Sequence, residues 1–362
     1  MKFLLNVGIK KLGLRSGLQN QNGSILIVCF FVLVLLTMFT ITVGYTMRQK
    51  FQVLSRLDAR QKLRLIGDAG VKKAIYELLK YREHASSYDA LNQGWSHNET
   101  ELKDIEVGDG KFSVYSEINF PMGKTSPSEN EKQYGLIDEE RKIHVNLVFR
   151  SPEIFRRLFR KAGDMSEDEA AGLVDAMRDW GDEDDNASLA GAESRYYKGL
   201  NPPYMPRNGT FATLAELRWV KGMTPEIFEK VRTYITLDSS GQVNLNTASK
   251  TVLVALGLSP DICDKILTYR EGRDQLQGTA DDQVFDDLSL VAQLLANGSY
   301  LNDNERSDLN KVIQSGVFSV KSRFFTAQVL ARLKHKAQSL WILAVFDDKG
   351  IVKRWEEMFV VS

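Results

Sequence analysis

From Ser24 to Gly44 the chain runs through 21 residues without a charge, SILIVCFFVLVLLTMFTITVG. About 20 apolar residues in a helix cross the hydrocarbon core of a bilayer, so this run predicts a membrane-spanning helix. It is longer than the ~7–15 residues of a secretory h-region, and no A-x-A-like site follows it. Residues 1–23 hold Lys2, Lys10, Lys11 and Arg15 and no acid. That bias favours a cytoplasmic N-terminus, against which Arg48 and Lys50 beyond the span pull. On hydropathy alone the segment is equally a plain single-pass anchor. The helical pattern continues, however. Phe51, Leu54, Leu57, Leu65, Ala69, Ile75, Leu78 and Leu79 recur at roughly helical spacing, with Arg56, Arg60, Lys62 and Arg64 between them. One helix from Ser24 to about Arg82 would measure roughly 90 Å at 1.5 Å per residue.

Beyond a polar stretch around 83–110, the pattern changes period. Lys111–Ile118 alternates as a half-buried strand does, residues 121–135 read as a Pro-, Gly- and Ser-containing loop, and 141–149 alternates again through Ile143, Val145, Leu147 and Phe149. Residues 152–313 are helical in pattern. From Gly316 strands return in VFSVKSRF, AQVLARLKHK, QSLWILAVFDD and IVKRWEEMFV, the last two joined at Asp348-Lys349-Gly350. A sheet interrupted by a helical insertion accounts for this order, and the fold class expected is α+β.

The insertion contains a repeat. Gly222-Met-Thr-Pro225-Glu-Ile227 returns as Gly257-Leu-Ser-Pro260-Asp-Ile262, 35 residues later. Glycine ends one helix in a left-handed turn, Thr or Ser caps the next, proline fills its first position and an acid enters its first turn. Such a pair reads as two helix-hairpin-helix-like units. Versions that bind DNA present a second glycine close to phosphate, where this chain has Thr224 or Ser259. Residues 213–235 carry four basic and three acidic groups, which favours packing or protein contact over nucleic acid.

Composition narrows the chemistry. The formal charge is zero, from 47 basic and 47 acidic residues, so no global field draws a polyanion. Two cysteines, Cys29 in the apolar run and Cys263, exclude a disulfide framework. The four histidines form no cluster in sequence. There is no G-x-S-x-G, H-E-x-x-H, P-loop or dinucleotide loop, and no enzymatic activity is expected. Asp182, Asp184 and Asn186 alternate oxygen ligands as a calcium loop does, and Glu193 would close the shell, though the glycine and terminal glutamate of an EF-hand are absent. Asp281, Asp282, Asp286 and Asp287 form a weaker acidic cluster.

Several ordered motifs carry a resemblance. Asn22-Gly23-Ser24-Ile25-Leu26 lies where a basic leader meets an apolar run and resembles a prepilin peptidase site. Asp138–Asn146 resembles a D-E-x-G-K-x-N-x-N strand, and Asp179–Tyr197 a D-W-x-D-x-D … G-A-E-x-x-Y segment. Tyr204–Leu217 and Val243–Ser249 follow in family order, and Asp68–Val71 in the long helix also fits. Together they are similar to the type II secretion system protein K family, the minor pseudopilin K group of type IV pilin-like proteins. The last ~45 residues fit its strand pattern without a distinctive motif.

The resemblance implies a leader at 1–23, a transmembrane helix at 24–44 and a periplasmic continuation at 45–82. It implies a pseudopilin α+β domain from 83–151 and 314–362, with an α-helical domain at 152–313. Cleavage between Gly23 and Ser24 and N-methylation of Ser24 are expected. Val28 stands at the fifth mature position, where most pilins have the Glu that neutralises a neighbour's amino terminus; its absence suits a tip subunit. The family further implies Ca²⁺ at Asp182, Asp184 and Glu193. Pseudopilins I and J are the implied partners, in an inner-membrane protein with its bulk in the periplasm. The rival readings are a membrane-anchored DNA receptor of the competence type and a type IV pilus minor pilin.

Overall fold

A computed structural model describes residues 22–83, 87–116, 133–298, 300–334 and 337–361. Residues 1–21 of the expected leader and most of the loop expected at 121–135 lie outside the described residues, as do His84 and His335. The chain divides into two compact units, 1–59 and 60–362. Helix α1, Asn22–Glu83, comprises 62 residues. Its apolar positions from Ile25 to Val43 are exposed, and it is the one described helix long and apolar enough to cross a membrane. Its threonines need no outside partner. The hydroxyls of Thr37, Thr40, Thr42 and Thr46 each donate back to a carbonyl one turn earlier at 2.8 Å, which satisfies polar groups in an apolar medium.

In the second unit, helix α2 (Glu99–Leu102) precedes strands β1 (Ile105–Val107), β2 (Gly110–Tyr115), β3 (Ile137–Asp138) and β4 (Ile143–His144). Helices α3 (Pro152–Ala162), α4 (Glu167–Gly181), α5 (Ser194–Lys198) and α6 (Pro225–Val231) follow. Next come β5 (Ile235–Thr236), β6 (Val243–Asn244), α7 (Lys250–Ala255), α8 (Pro260–Arg270), α9 (Val291–Asn297) and α10 (Asp303–Gln314). The chain ends in β7 (Phe318–Ser319), β8 (Phe324–Leu333), β9 (Gln338–Asp347) and β10 (Val352–Val361). The main sheet is antiparallel, in the order β1-β2-β8-β9-β10, with β3 also paired to β8. The expected turn after β9 forms at Gly350, whose φ is +80°.

Helix α1 lies on one face of this sheet through Leu63, Ile66, Val71, Ala74 and Leu78. They share a core with Phe112 and Val114 of β2, Val329 and Ala331 of β8, and Leu340 and Ile342 of β9. Two glycines set the approach. A Cβ on Gly67 would stand 2.3 Å from Ile342 Cδ1, and one on Gly70 would stand 2.5 Å from Val329 Cγ1. Gly70→Ala gains about 1 kcal/mol of helix propensity but overpacks this contact by about 1–3 kcal/mol. A net loss of roughly 1 kcal/mol in chemical unfolding is the expected outcome.

A second core runs continuously from Ile143 to Phe318 through α3, α4 and α6–α10. Here the sequence expectation needs correcting. The alternation over 141–149 is not a strand: only Ile143–His144 pairs, in parallel with β5, and Val145–Phe149 is a 3-10 turn. Ile143, Val145 and Val148 are the fully buried positions, so the helical body begins at 143 rather than 152. Likewise VFSVKSRF is broken: Phe318–Ser319 pairs with β6, and β8 starts only at Phe324. Both repeat units have the turn chemistry expected. Gly222 and Gly257 have φ of +86° and +108°, and the Thr224 and Ser259 hydroxyls accept the Ile227 and Ile262 N–H groups. The units differ in their leading segment, a 3-10 turn at Leu214–Trp219 in the first and helix α7 in the second.

Candidate functional site

The two cores of the second unit meet across a polar seam built on three consecutive acids. Asp138 is 1% exposed. Its Oδ2 accepts from the Thr247 hydroxyl at 2.5 Å, the Ser322 hydroxyl at 2.7 Å and Asn244 Nδ2 at 3.2 Å. Its Oδ1 accepts the Glu140 N–H at 2.8 Å. Glu139 ties β8 to β5, accepting from Thr326 at 2.7 Å and Thr236 at 2.6 Å, with Lys142 beside it. Glu140 accepts the backbone N–H groups of Ser240 and Arg323. Asp89 joins from the α1 side, accepting from Arg82 and from the Ser322 N–H, both at 2.8 Å. Buried polar groups are tolerable only when so partnered.

Burial dominates the acid–base behaviour of the seam. Desolvation pushes Asp89 up to about 6, against the pull of Arg82. Asp138 and Glu140 are raised for the same reason, opposed by their hydrogen bonds. Glu139 goes the other way because Lys142 and two hydroxyls outweigh its desolvation.

The asparagines of the two sequence motifs act as backbone clips. Asn146 accepts the Phe211 N–H at 2.8 Å and donates to the Phe211 carbonyl at 3.1 Å. Asn246 does the same to Phe285, at 2.8 Å in both directions. Arg270, fully buried, caps the second motif by donating to the carbonyls of Ala248 and Leu245. These residues organise the chain.

The acidic segment forms a separate group. Among the described residues, Asp179, Asp182 and Glu193 bring carboxylate oxygens within 4.8 Å of one another. Asp179 sits in the last turn of α4 and Asp182 is that helix's C-cap, so a spacing of three places both on one side. The loop returns because the Ser188 N–H and hydroxyl both donate to Asp179. Gly191 then passes so close that a Cβ would stand 1.9 Å from Asp179 Oδ2. Lys221 holds the carbonyls of Ala190 and Gly191, and Glu193 is delivered 4% exposed.

Neither Glu193 oxygen has a hydrogen-bond partner, and Asp182 Oδ1 has none. Desolvation, then the charges of Asp182, Asp179 and Asp185, push Glu193 up to about 7; desolvation and Asp184 raise Asp182. Clustered hard oxygens with unused lone pairs are the donor set a Ca²⁺ ion takes. Of the expected ligands, Asp182 and Glu193 come together. Asp184 does not join them: it is exposed, and its Oδ1 accepts the Asn186 N–H in a local turn. Asp179 takes its place, a residue whose i, i+3 relation to Asp182 was visible in the sequence. In the weaker cluster, Asp281 and Asp282 cap the turn at 273–279 through backbone N–H groups.

Gly23 and Ser24 fall in the first turn of α1, and Val28 is exposed. The repeat turns lie at the surface, with Gly222, Thr224, Pro225, Gly257, Ser259 and Pro260 exposed. Gly222 lies against Leu173 of α4 and Gly257 against Arg157 of α3, and Arg157 donates to the Ala255 carbonyl.

Comparison with known proteins places this geometry. A family model described as type II secretion system protein K matches residues 145–239, the stretch that holds the Asn146 clip, the acidic group and the first repeat. The chain is 31% identical over 189 residues to type II secretion system protein K of Aeromonas hydrophila, covering 49% of this chain and 51% of that protein. It is 27% identical over 272 residues to the protein K of Pseudomonas aeruginosa, covering 73% and 76%. Over these segments the chain is similar to the type II secretion system protein K family. It spans about half the length of the Aeromonas protein K and about three quarters of the Pseudomonas one. A chain in the crystal structure of the GspK–GspI–GspJ complex from enterotoxigenic Escherichia coli has the same fold, with a TM-score of 0.60. It is 15% identical, and the match covers 85% of this chain and 99% of that one.

Proposed function

We propose that this chain is a type II secretion system protein K, the minor pseudopilin at the tip of a type II secretion pseudopilus. In this reading it initiates assembly with pseudopilins I and J and supports export of folded proteins across the outer membrane. The observation that carries the reading is the similarity to protein K joined to an α1 that continues from a bilayer-length apolar run into the core of an α+β head. A helix built this way serves twice: its first half lies in lipid or in a bundle of like helices, and its second half is rigidly part of the head. Prepilin peptidase removes residues 1–23, and Ser24 becomes the mature, methylated terminus. The membrane is then the inner membrane, with the N-terminus cytoplasmic and the head periplasmic. Val28 at the fifth mature position leaves no carboxylate to pair with the amino terminus of a subunit stacked next to it. An unpaired charge in an apolar medium is costly, so the subunit ends a stack.

Asp179, Asp182 and Glu193 would hold a structural Ca²⁺, whose charge supports three acids gathered in one place. The deciding experiment is mass spectrometry of the mature N-terminus with and without prepilin peptidase, with co-purification of I and J. The expected result is a chain starting at Ser24 that brings both partners. A chain retaining Met1 in cells that contain the peptidase, and binding neither partner, would overturn the reading.

A further inference from the structure

The basic residues of α1 fall into two groups. Those from Arg60 onward are engaged by the head: Arg60 lies over the Phe359 ring, Lys62 pairs with Asp109 at 2.9 Å, and Arg64 pairs with Glu357 at 2.8 Å. Arg48, Lys50 and Arg56 are exposed and have no acidic partner among the described residues. Arg48, Gln52 and Arg56 are spaced by four along the helix, and with Phe51 and Ser55 they line one shallow surface groove. The apolar positions Met47 and Leu54 are exposed beside this groove, outside its lining.

Position relative to the span selects the occupant. The uncharged run ends at Gly44. At 1.5 Å per residue Arg48 and Lys50 stand about 6 and 9 Å beyond it. The headgroup zone occupies roughly 5–8 Å outside the hydrocarbon on each side, and charges interact over about 8 Å at physiological ionic strength. Tyr45, exposed at the end of the run, has the amphipathic ring typical of that boundary.

We infer that Arg48 and Lys50 form a binding surface for the phosphate groups of anionic phospholipids in the leaflet at the Gly44 end of the span. This inference rests on the reading of α1 as membrane-spanning. A guanidinium offers two parallel N–H donors to a phosphate, which Arg48 supplies, and Lys50 adds a second cation about 3 Å further along the axis.

The test uses the full chain reconstituted in phosphatidylcholine vesicles with and without phosphatidylglycerol, with resistance to alkaline extraction as the check on insertion. The readout is the fraction of spin-labelled phosphatidylglycerol, against phosphatidylcholine, immobilised by the protein. The expected result is selectivity for phosphatidylglycerol that weakens with salt. The Arg48→Gln/Lys50→Gln variant is expected to lose it by about fivefold or more, given about 1 kcal/mol for each basic residue near an anionic surface. An inserted chain that immobilises both lipids equally would overturn the inference. So would a variant that keeps its lipid selectivity and instead loses pseudopilins I and J, which would assign these cations to an acidic partner. Extraction by alkali would overturn the span itself and the inference with it.

Discussion

Asp138→Ala is expected to lower the unfolding free energy of the chain by roughly 3–5 kcal/mol, because each buried donor left without a partner costs about 1–3 kcal/mol. Four donors converge on this carboxyl: two hydroxyls, one amide and one backbone N–H. Asp138→Asn keeps the shape and one accepting oxygen and is expected to cost less than half as much. Asp104→Ala, at a half-exposed carboxylate paired with Lys111, provides the surface comparison at below about 1 kcal/mol. Denaturant titration in detergent, followed by circular dichroism, distinguishes the three. A loss at Asp138 no larger than at Asp104 would show that the seam does not hold the two cores together.

The acidic group predicts a linked response to calcium and pH. Glu193 has a folded-state pKa above its ordinary value, so the folded chain holds that proton more tightly than the unfolded chain does. Its stabilising contribution is complete below about 4.5 and disappears as pH rises through about 7. Asp89 behaves the same way, losing its contribution between about 4 and 6. In chelator, therefore, the melting temperature is expected to fall between pH 5 and pH 8. Calcium at about a hundred times its Kd stabilises by about 2.7 kcal/mol, or about 5 °C for a chain of this size. Because protonation of Glu193 competes with the cation, this gain grows with pH through about 7. Glu193→Gln is expected to abolish the calcium gain while raising the melting temperature in chelator at pH 8. A variant that still gains fully from calcium would remove Glu193 from the site.

What could be read in the sequence was what depends on neighbours along the chain. The apolar run, the continuing helix and the Gly-x-[Thr/Ser]-Pro turns rest on local rules, and the structure has them. The segment 145–149 misled because Ile143, Val145, Leu147 and Phe149 alternate by accident of composition. The Asn146 clip to Phe211, 65 residues away, fixes a 3-10 turn that no local pattern announces. Asp138, Glu139 and Glu140 were visible only as a motif. Three adjacent acids read as solvated, and their burial depends on Thr247 and Ser322, which lie 109 and 184 residues downstream of Asp138. Asp184 looked like a ligand because its spacing from Asp182 fits an alternating loop. The helix-end spacing of Asp179 and Asp182 was the stronger signal, since a helix fixes side-chain direction where a loop does not.

The two cores differ in how they are strung along the chain. The one from Ile143 to Phe318 is contiguous, whereas the other draws Leu63–Leu136 and Phe325–Phe346 from opposite sides of it. In N-to-C synthesis, the middle body can close as soon as it emerges, while the α1 stripe of Leu63, Ile66 and Leu78 has no β8 or β9 to lie on until the final forty residues arrive. Long-range closure of this kind is slow and leaves apolar surface bare in the interval. A chain stopped before Phe324 would therefore carry a finished helical body on an unshielded greasy helix, a natural substrate for chaperones and proteases.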